Sequence, residues 1–296
     1  MSKISIGIDV GGTTIKAGLV EDNKVISEVM ILPTPSSQAE FIDALSQIVV
    51  KFDNLADSNT AIGLAVPGLV NIANGQIMGS STLPFLSKIQ FNELFADRPI
   101  TFYNDVDAAL AGEVFANGLQ SENVLLINIG TGLGSAFYLN GLGSWQLDLA
   151  AEAGHLKVIP NGRKCSCGGD GCIQAYFSGR ALLLEAREKI SREIASTKAL
   201  FDLAKAGEAT AAKIIESNAS LLGVAIANCV NLLGVERVII GGQIASSFEV
   251  FSTELEASIK SNIFRLKERK IIIEPSKSIG LSGIIGAGYL VSLSGK

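Results

Sequence analysis

IGIDVGGTTIKAGLV, residues 6–20, decides how this 296-residue chain is read. An apolar, β-branched strand runs to a lone aspartate, Asp9; a tight Gly/Thr turn follows, then a second apolar strand. That is the pattern of a β-hairpin. LLINIGTGLGSAFYL, residues 125–139, repeats it with Asn128 in the place of the aspartate. Two matching hairpins predict a chain of two related halves. Further strands are predicted at 61–68, 99–105, 235–242 and 270–276. Helical spacing of apolar residues appears at 39–52, 107–118, 178–196 and 208–233. Strands interleaved with helices predict an α/β protein. The C-terminal LSGIIGAGYLVSL reads as a helix that crosses back to the first half. The expected domains are a small one, 1–112 plus 283–296, and a larger one, 113–282.

The glycine turns carry the first chemical signal. Backbone without Cβ approaches phosphate closely, and its N–H groups cradle the oxygens. The first turn offers Gly11, Gly12, Thr13 and Thr14; the second offers Gly130, Thr131 and Gly132. One such turn alone reads equally as a plain hairpin turn, whereas a matching pair points to a nucleotide held between two hairpins across a cleft. GTGLGS is not a dinucleotide fingerprint, because its third glycine comes one residue early and the chain continues as strand. There is no G-x-x-x-x-G-K-[ST] motif either. Asp9 is placed for Mg2+, which prefers oxygen ligands, or it caps its own turn. Lys16 reads as a phosphate partner or as an edge-strand lysine.

In FYNDVDAALAGE, Asp105 sits where a strand ends and a helix begins, which is where α/β proteins place chemistry. Phosphoryl transfer to an alcohol wants a carboxylate to accept the hydroxyl proton, and Asn104 beside it could hold a neighbouring hydroxyl. The plain alternative is that Asp105 caps the helix.

EAGHLKVIPNGRKCSCGGDGCIQ, residues 152–174, holds the only histidine, His155, and three of four cysteines, Cys165, Cys167 and Cys172. One imidazole and three thiolates complete a tetrahedral set for a closed, structural Zn2+ site. A disulfide would leave one cysteine over. Four protein ligands leave no open position for water, so a zinc enzyme is not expected. Cys229, in the apolar GVAIANCVNLLG, reads as core.

Bulk properties agree with a cytoplasmic protein. The net charge of −5 gives no basic face for nucleic acid or an anionic membrane. Asp9 stands where a signal peptide would be apolar, and no apolar run reaches membrane-spanning length.

IGIDVGGTTIKAGLV, FYNDVDAALAGE, INIGTGLGSA and EAGH…CSCGGDGC together resemble, in order, the ROK family of bacterial sugar kinases and repressors. The resemblance spans residues 4 to 290. It implies an actin-like ATPase fold built of ribonuclease H-like halves, with nucleotide and sugar in the cleft between them. Because the first phosphate loop starts at Asp9, a kinase member is expected rather than a repressor. The resemblance further implies that Asp105 is the general base for attack of a hexose hydroxyl on ATP. Gly68, Asn104, Glu152, His155 and Gln174 would bind the sugar, with His155 also on zinc. Gly12, Thr13, Thr131 and Gly132 would form the phosphate loops, and Gly241 and Gly242 the adenosine-side turn. The implied partners are a hexose, glucose first, and ATP with Mg2+; a homodimer or homotetramer is the implied assembly. N-acetylmannosamine or N-acetylglucosamine kinase is the alternative, and a non-catalytic sugar sensor is a third reading. Two positions depart from the family pattern: Gln174 stands where glutamate is usual, and Thr82, in SSTLPFL, where asparagine precedes Leu-Pro. Both departures are expected to face the sugar.

Overall fold

The computed structural model describes residues 4–56, 59–71, 76–80, 82–95, 98–147 and 151–294; Ser81 of SSTLPFL lies outside them. The chain divides into two compact units. The first holds Met1–Ser121, Gly141–Ala150 and Gly280–Lys296; the second holds Glu122–Asn140 and Ala151–Ile279.

The first unit is organised by β1 (Ser5–Val10) and β2 (Thr14–Glu21). They pair antiparallel from Ser5 opposite Val20 to Val10 opposite Ile15. The predicted hairpin is therefore present, with its turn at Gly11–Thr13. Strands β3 (Lys24–Val25) and β4 (Met30–Pro33) extend the β2 side. On the other side β5 (Ala61–Val66) and β8 (Ile100–Asn104) run parallel to β1. A hairpin of β6 (Leu69–Asn71) and β7 (Gln76–Gly79) follows β5. β1 and β5 are buried almost end to end, which is why they read as continuous apolar runs rather than alternating ones.

Helix α1 (Gln38–Asp53) starts at Ser37, whose hydroxyl accepts the Glu40 N–H while also bonding the Glu40 carboxylate. It buries Phe41, Leu45, Ile48 and Phe52 on one face. After the single turn α2 (Phe91–Leu94) comes α3 (Asp105–Ala116), which lies whole within this unit. The C-terminal α8 (Ser282–Ser294) belongs to the first unit too. It packs on α3 through glycine: a Cβ on Gly286 would stand 1.7 Å from the Ala108 carbonyl oxygen. Only a residue without Cβ permits that approach. The short β11 (Leu142–Gly143) is also in this unit.

The second unit repeats the plan. β9 (Val124–Ile129) and β10 (Leu133–Leu139) form the second predicted hairpin, and β12 (Arg237–Gly241) and β13 (Ile272–Pro275) run parallel to β9. The order β2-β1-β5-β8 in the first unit is matched by β10-β9-β12-β13 in the second. Asp9 and Asn128 are the penultimate residues of equivalent strands. Helices α4 (Gly179–Lys189), α5 (Thr197–Lys205), α6 (Ala209–Leu233) and α7 (Phe248–Asn262) complete it. The single helix expected over 178–196 stops at Lys189. Ser196 caps a new helix by accepting the Ala199 N–H. α6 ends on Gly234 at φ 68°, a left-handed stop that favours glycine.

Candidate active site

In the first unit the C-terminal ends of parallel β1, β5 and β8 bring Asp9, Gly68, Asn104 and Asp105 into one region. Asp9 stands opposite Lys16 in the hairpin, and Lys16 Nζ donates to the Gly280 carbonyl at 3.4 Å. The Asp9 carboxylate lies against the first turn of α8: a Cβ on Gly283 would be 2.6 Å from Asp9 Cγ. Burial pushes the Asp9 pKa up from 3.8 to about 6, against the lowering charge of Lys16. The turn itself is held by Gly11 N–H to Thr14 O (2.9 Å), Thr34 N–H to Thr13 O (3.0 Å) and Thr34 hydroxyl to Gly11 O (2.7 Å). Gly12 and Thr13 are exposed at its tip, while Thr14 opens β2.

Asn104, not Asp105, caps α3. Its side-chain oxygen accepts the N–H groups of Val106 (2.9 Å) and Asp107 (3.3 Å), and its amide donates to Gly68 O at 3.0 Å. Gly68 has φ 142° and sits against the Gly79 carbonyl, where a Cβ would fall 2.3 Å from the oxygen. With the cap supplied by Asn104, Asp105 is left as the first residue of the helix. It accepts the Val106 N–H at 3.1 Å. Its pKa is raised from 3.8 to about 7, first by burial and then by the Asp9 charge, with backbone N–H groups opposing the shift. A carboxylate whose proton affinity lies near neutrality is matched to general-base work.

In the second unit the glycine turn is tied to α4: Gly179 N–H donates to Gly130 O (2.9 Å) and Arg180 N–H to Thr131 O (3.2 Å). Gly130 N–H closes the turn on Gly132 O at 3.1 Å. Gly241 ends β12 opposite Asn128, and Gly242 turns away at φ 80° against the Ile129 carbonyl. Gly241 and Gly242 thus stand at the end of the same strand pair as the second glycine turn.

The segment after Ala151 folds around its cysteines. A small hairpin pairs Lys164 with Asp170, and Lys157 pairs with Cys172. The donor atoms of His155, Cys165, Cys167 and Cys172 all lie within 4.8 Å of one another. Cys167 and Cys172 Sγ are 3.7 Å apart, as are Cys165 Sγ and His155 Nδ1. A tetrahedron around Zn2+ with bonds of about 2.3 Å to sulfur and 2.0 Å to nitrogen has edges of about 3.5–3.8 Å. The residues fit that ion. Gly169 N–H holds the Cys167 thiol below its ordinary pKa, and burial pushes Cys165 up. Lys157 Nζ donates to Cys172 Sγ at 2.9 Å. One dication with three thiolates would carry one net negative charge, which this lysine offsets. With Nδ1 turned to the thiols, His155 Nε2 points toward Glu152, 4.0 Å from its carboxylate.

The two departures from the family pattern lie beside the glycine turns. Gln174 Oε1 accepts the Leu133 N–H at 3.0 Å, and its Nε2 donates to Ser166 Oγ at 3.2 Å. Both polar ends are engaged inside the second unit, and a Cβ on Gly132 would come 3.0 Å from Oε1. The Thr82 methyl lies 3.0 Å from where a Cβ on Gly12 would stand. Ser135, Lys157 and the Leu133 N–H were not singled out in the sequence. Only the small polar serine within an apolar β10 was a visible signal.

Two units of one strand order, each opening on a hairpin with a glycine turn, are the actin-like ATPase architecture. The ROK family profile matches residues 5–293, and the chain belongs to that family. It is 27% identical to the glucokinase of Streptomyces coelicolor over 97% of each chain. It is equally 27% identical to the N-acetyl-D-glucosamine kinase of Pasteurella multocida, over 96% of this chain and 98% of that one. The ROK glucokinase of Streptomyces griseus, solved with glucose and AMPPNP, superposes with a TM-score of 0.84 at 25% identity, covering 98% of this chain and 99% of that one.

Proposed function

We propose that this chain transfers the γ-phosphoryl group of ATP to a hydroxyl of a hexose, glucose before any other, giving glucose 6-phosphate. The observation that carries the reading is Asp105: a carboxylate at a strand end, relieved of capping by Asn104, with its pKa raised to about 7. In this role Asp105 accepts the proton of the attacking hydroxyl while Asn104 and Gly68 frame the sugar side of the first unit. Glu152 and the free Nε2 of His155 are the second unit's candidates for sugar hydroxyls. The exposed tips at Gly12, Thr13 and Thr131 are the candidates for phosphate oxygens. Asp9 would hold Mg2+, which neutralises phosphate charge when bound. His155, Cys165, Cys167 and Cys172 would hold Zn2+, which fixes the loop carrying His155. A cytoplasmic homodimer or homotetramer is the assembly we propose, to be read by light scattering.

The substrate is tested by coupled ADP release over glucose, mannose, fructose, N-acetylglucosamine and N-acetylmannosamine. Glucose is expected to give the highest kcat/KM. An N-acetylhexosamine ahead of glucose would move the assignment to the alternative that the Pasteurella relative represents. No turnover with any sugar by folded protein would remove the kinase reading.

A further inference from the structure

The backbone that carries Glu152 is strained. Ala151, immediately before it, has φ 66°, a left-handed conformation that a residue with a Cβ adopts at a cost of about 1–2 kcal/mol. Something must hold it there. Ser135, in β10 opposite Ile127, is buried and makes two bonds with one hydroxyl. It donates to the Ala151 carbonyl, and it accepts the Ala153 N–H at 2.9 Å. The two bonds straddle Glu152 without touching its side chain. Two residues earlier on the same strand, the Leu133 carbonyl backs Gly154, where a Cβ would fall 2.2 Å from the oxygen. The His155 N–H then closes on Glu152 O at 3.0 Å. The peptides on both sides of Glu152 are thus fixed from β10, while the carboxylate itself is exposed.

We propose that Ser135 is a positioning residue for the hexose site, clamping the peptides either side of Glu152 and holding Ala151 in its left-handed conformation. The proposal rests on the reading of Glu152 as a hexose ligand. An alanine at 135 would leave the Ala151 carbonyl and Ala153 N–H without that partner and let Ala151 relax, so the Glu152 carboxylate would shift. The glycine turn at 130–132 has its own bonds to α4 and would stay in place.

The test is the KM for hexose and the KM for ATP, each at saturating co-substrate, in wild type, Ser135→Ala, Ser135→Thr and the double variant Ser135→Ala with Ala151→Gly. Ser135→Ala is expected to raise the hexose KM about tenfold, with the ATP KM within about twofold of wild type. Ser135→Thr keeps the hydroxyl and should stay within about threefold. Glycine holds φ 66° without strain, so the double variant should recover at least about threefold of the lost hexose KM. A merely structural serine would raise both KM values together and would not be rescued by glycine at 151; that result overturns the proposal. So does a hexose KM for Ser135→Ala within about twofold of wild type. If Ser135→Ala does not fold in a thermal melt, Ser135→Cys, which keeps the volume but weakens both bonds, is read by the same split. Wild-type protein inactive on every hexose would overturn the kinase reading and this one with it. An active wild type with an unaffected Ser135→Ala overturns the role of Ser135 alone.

Discussion

Asp105 and Asp9 place two buried carboxylates at one end of the first sheet, and the Asp9 charge raises the cost of ionising Asp105. As a general base Asp105 must be ionised, so kcat/KM should fall about tenfold per pH unit below about 7 and level off above it. A flat profile from pH 5.5 to 8 would exclude Asp105 as the base. The same shift has a stability consequence of opposite sign. The folded state keeps a proton on Asp105 between pH 3.8 and about 7 that the unfolded chain has lost, so stability falls across that window as pH rises. Asp105→Asn removes the penalty. It should be more stable than wild type at pH 8, by up to roughly 4 kcal/mol, with the difference vanishing near pH 4 in thermal melts. Gln174 makes a different prediction. Since its oxygen holds the Leu133 N–H beside the second glycine turn, Gln174→Ala should raise the ATP KM by about three- to tenfold and the hexose KM less. The reverse split would support the expectation that Gln174 faces the sugar. Asp105 was legible because a strand-to-helix junction shows in sequence. The partner of Gln174 was not, because it is a backbone N–H 41 positions away, and no side chain announces it.

At the scale of elements, the cysteine segment and the α3–α8 pair carry the most consequence. The segment is anchored away from its donor atoms as well: Arg163 pairs with the buried Glu185 at 2.9 Å and lies over the Tyr176 ring. Protein purified without chelator should contain about one zinc per chain by elemental analysis. Metal stripping should lower Tm and raise the hexose KM, with zinc restoring both. Less than a tenth of an equivalent, with full activity, would rule the site out. In the first unit, Gly286→Val would push a side chain into the Ala108 carbonyl and should cost more than about 3 kcal/mol, or prevent folding, by urea denaturation. The sequence showed α8 by its apolar composition, but its glycines did not say which helix they faced. The helix α7 went unread although Phe251, Leu255 and Ile259 recur at four-residue spacing. β6 and β7 were missed because strands of three and four residues hold too few positions to show a period.

At the scale of the whole molecule, the repeated hairpin was the most legible feature, because both copies keep a polar penultimate residue and a glycine turn in one order. The identical strand order in the two units follows from that repeat. The polar contacts that tune each unit do not, since Asn104, Gln174 and Ser135 act through backbone groups brought near only by folding. The central claim is that γ-phosphate passes from ATP to a hexose with Asp105 as base. Its most direct test is transfer of labelled γ-phosphate to glucose by wild type and Asp105→Asn at pH 8, with glucose affinity measured alongside. Base catalysis by Asp105 predicts labelled glucose phosphate from wild type, a rate lower by about 10²–10⁴ in the variant, and glucose affinity unchanged. An Asp105→Asn rate equal to wild type, or label released only to water, would contradict it.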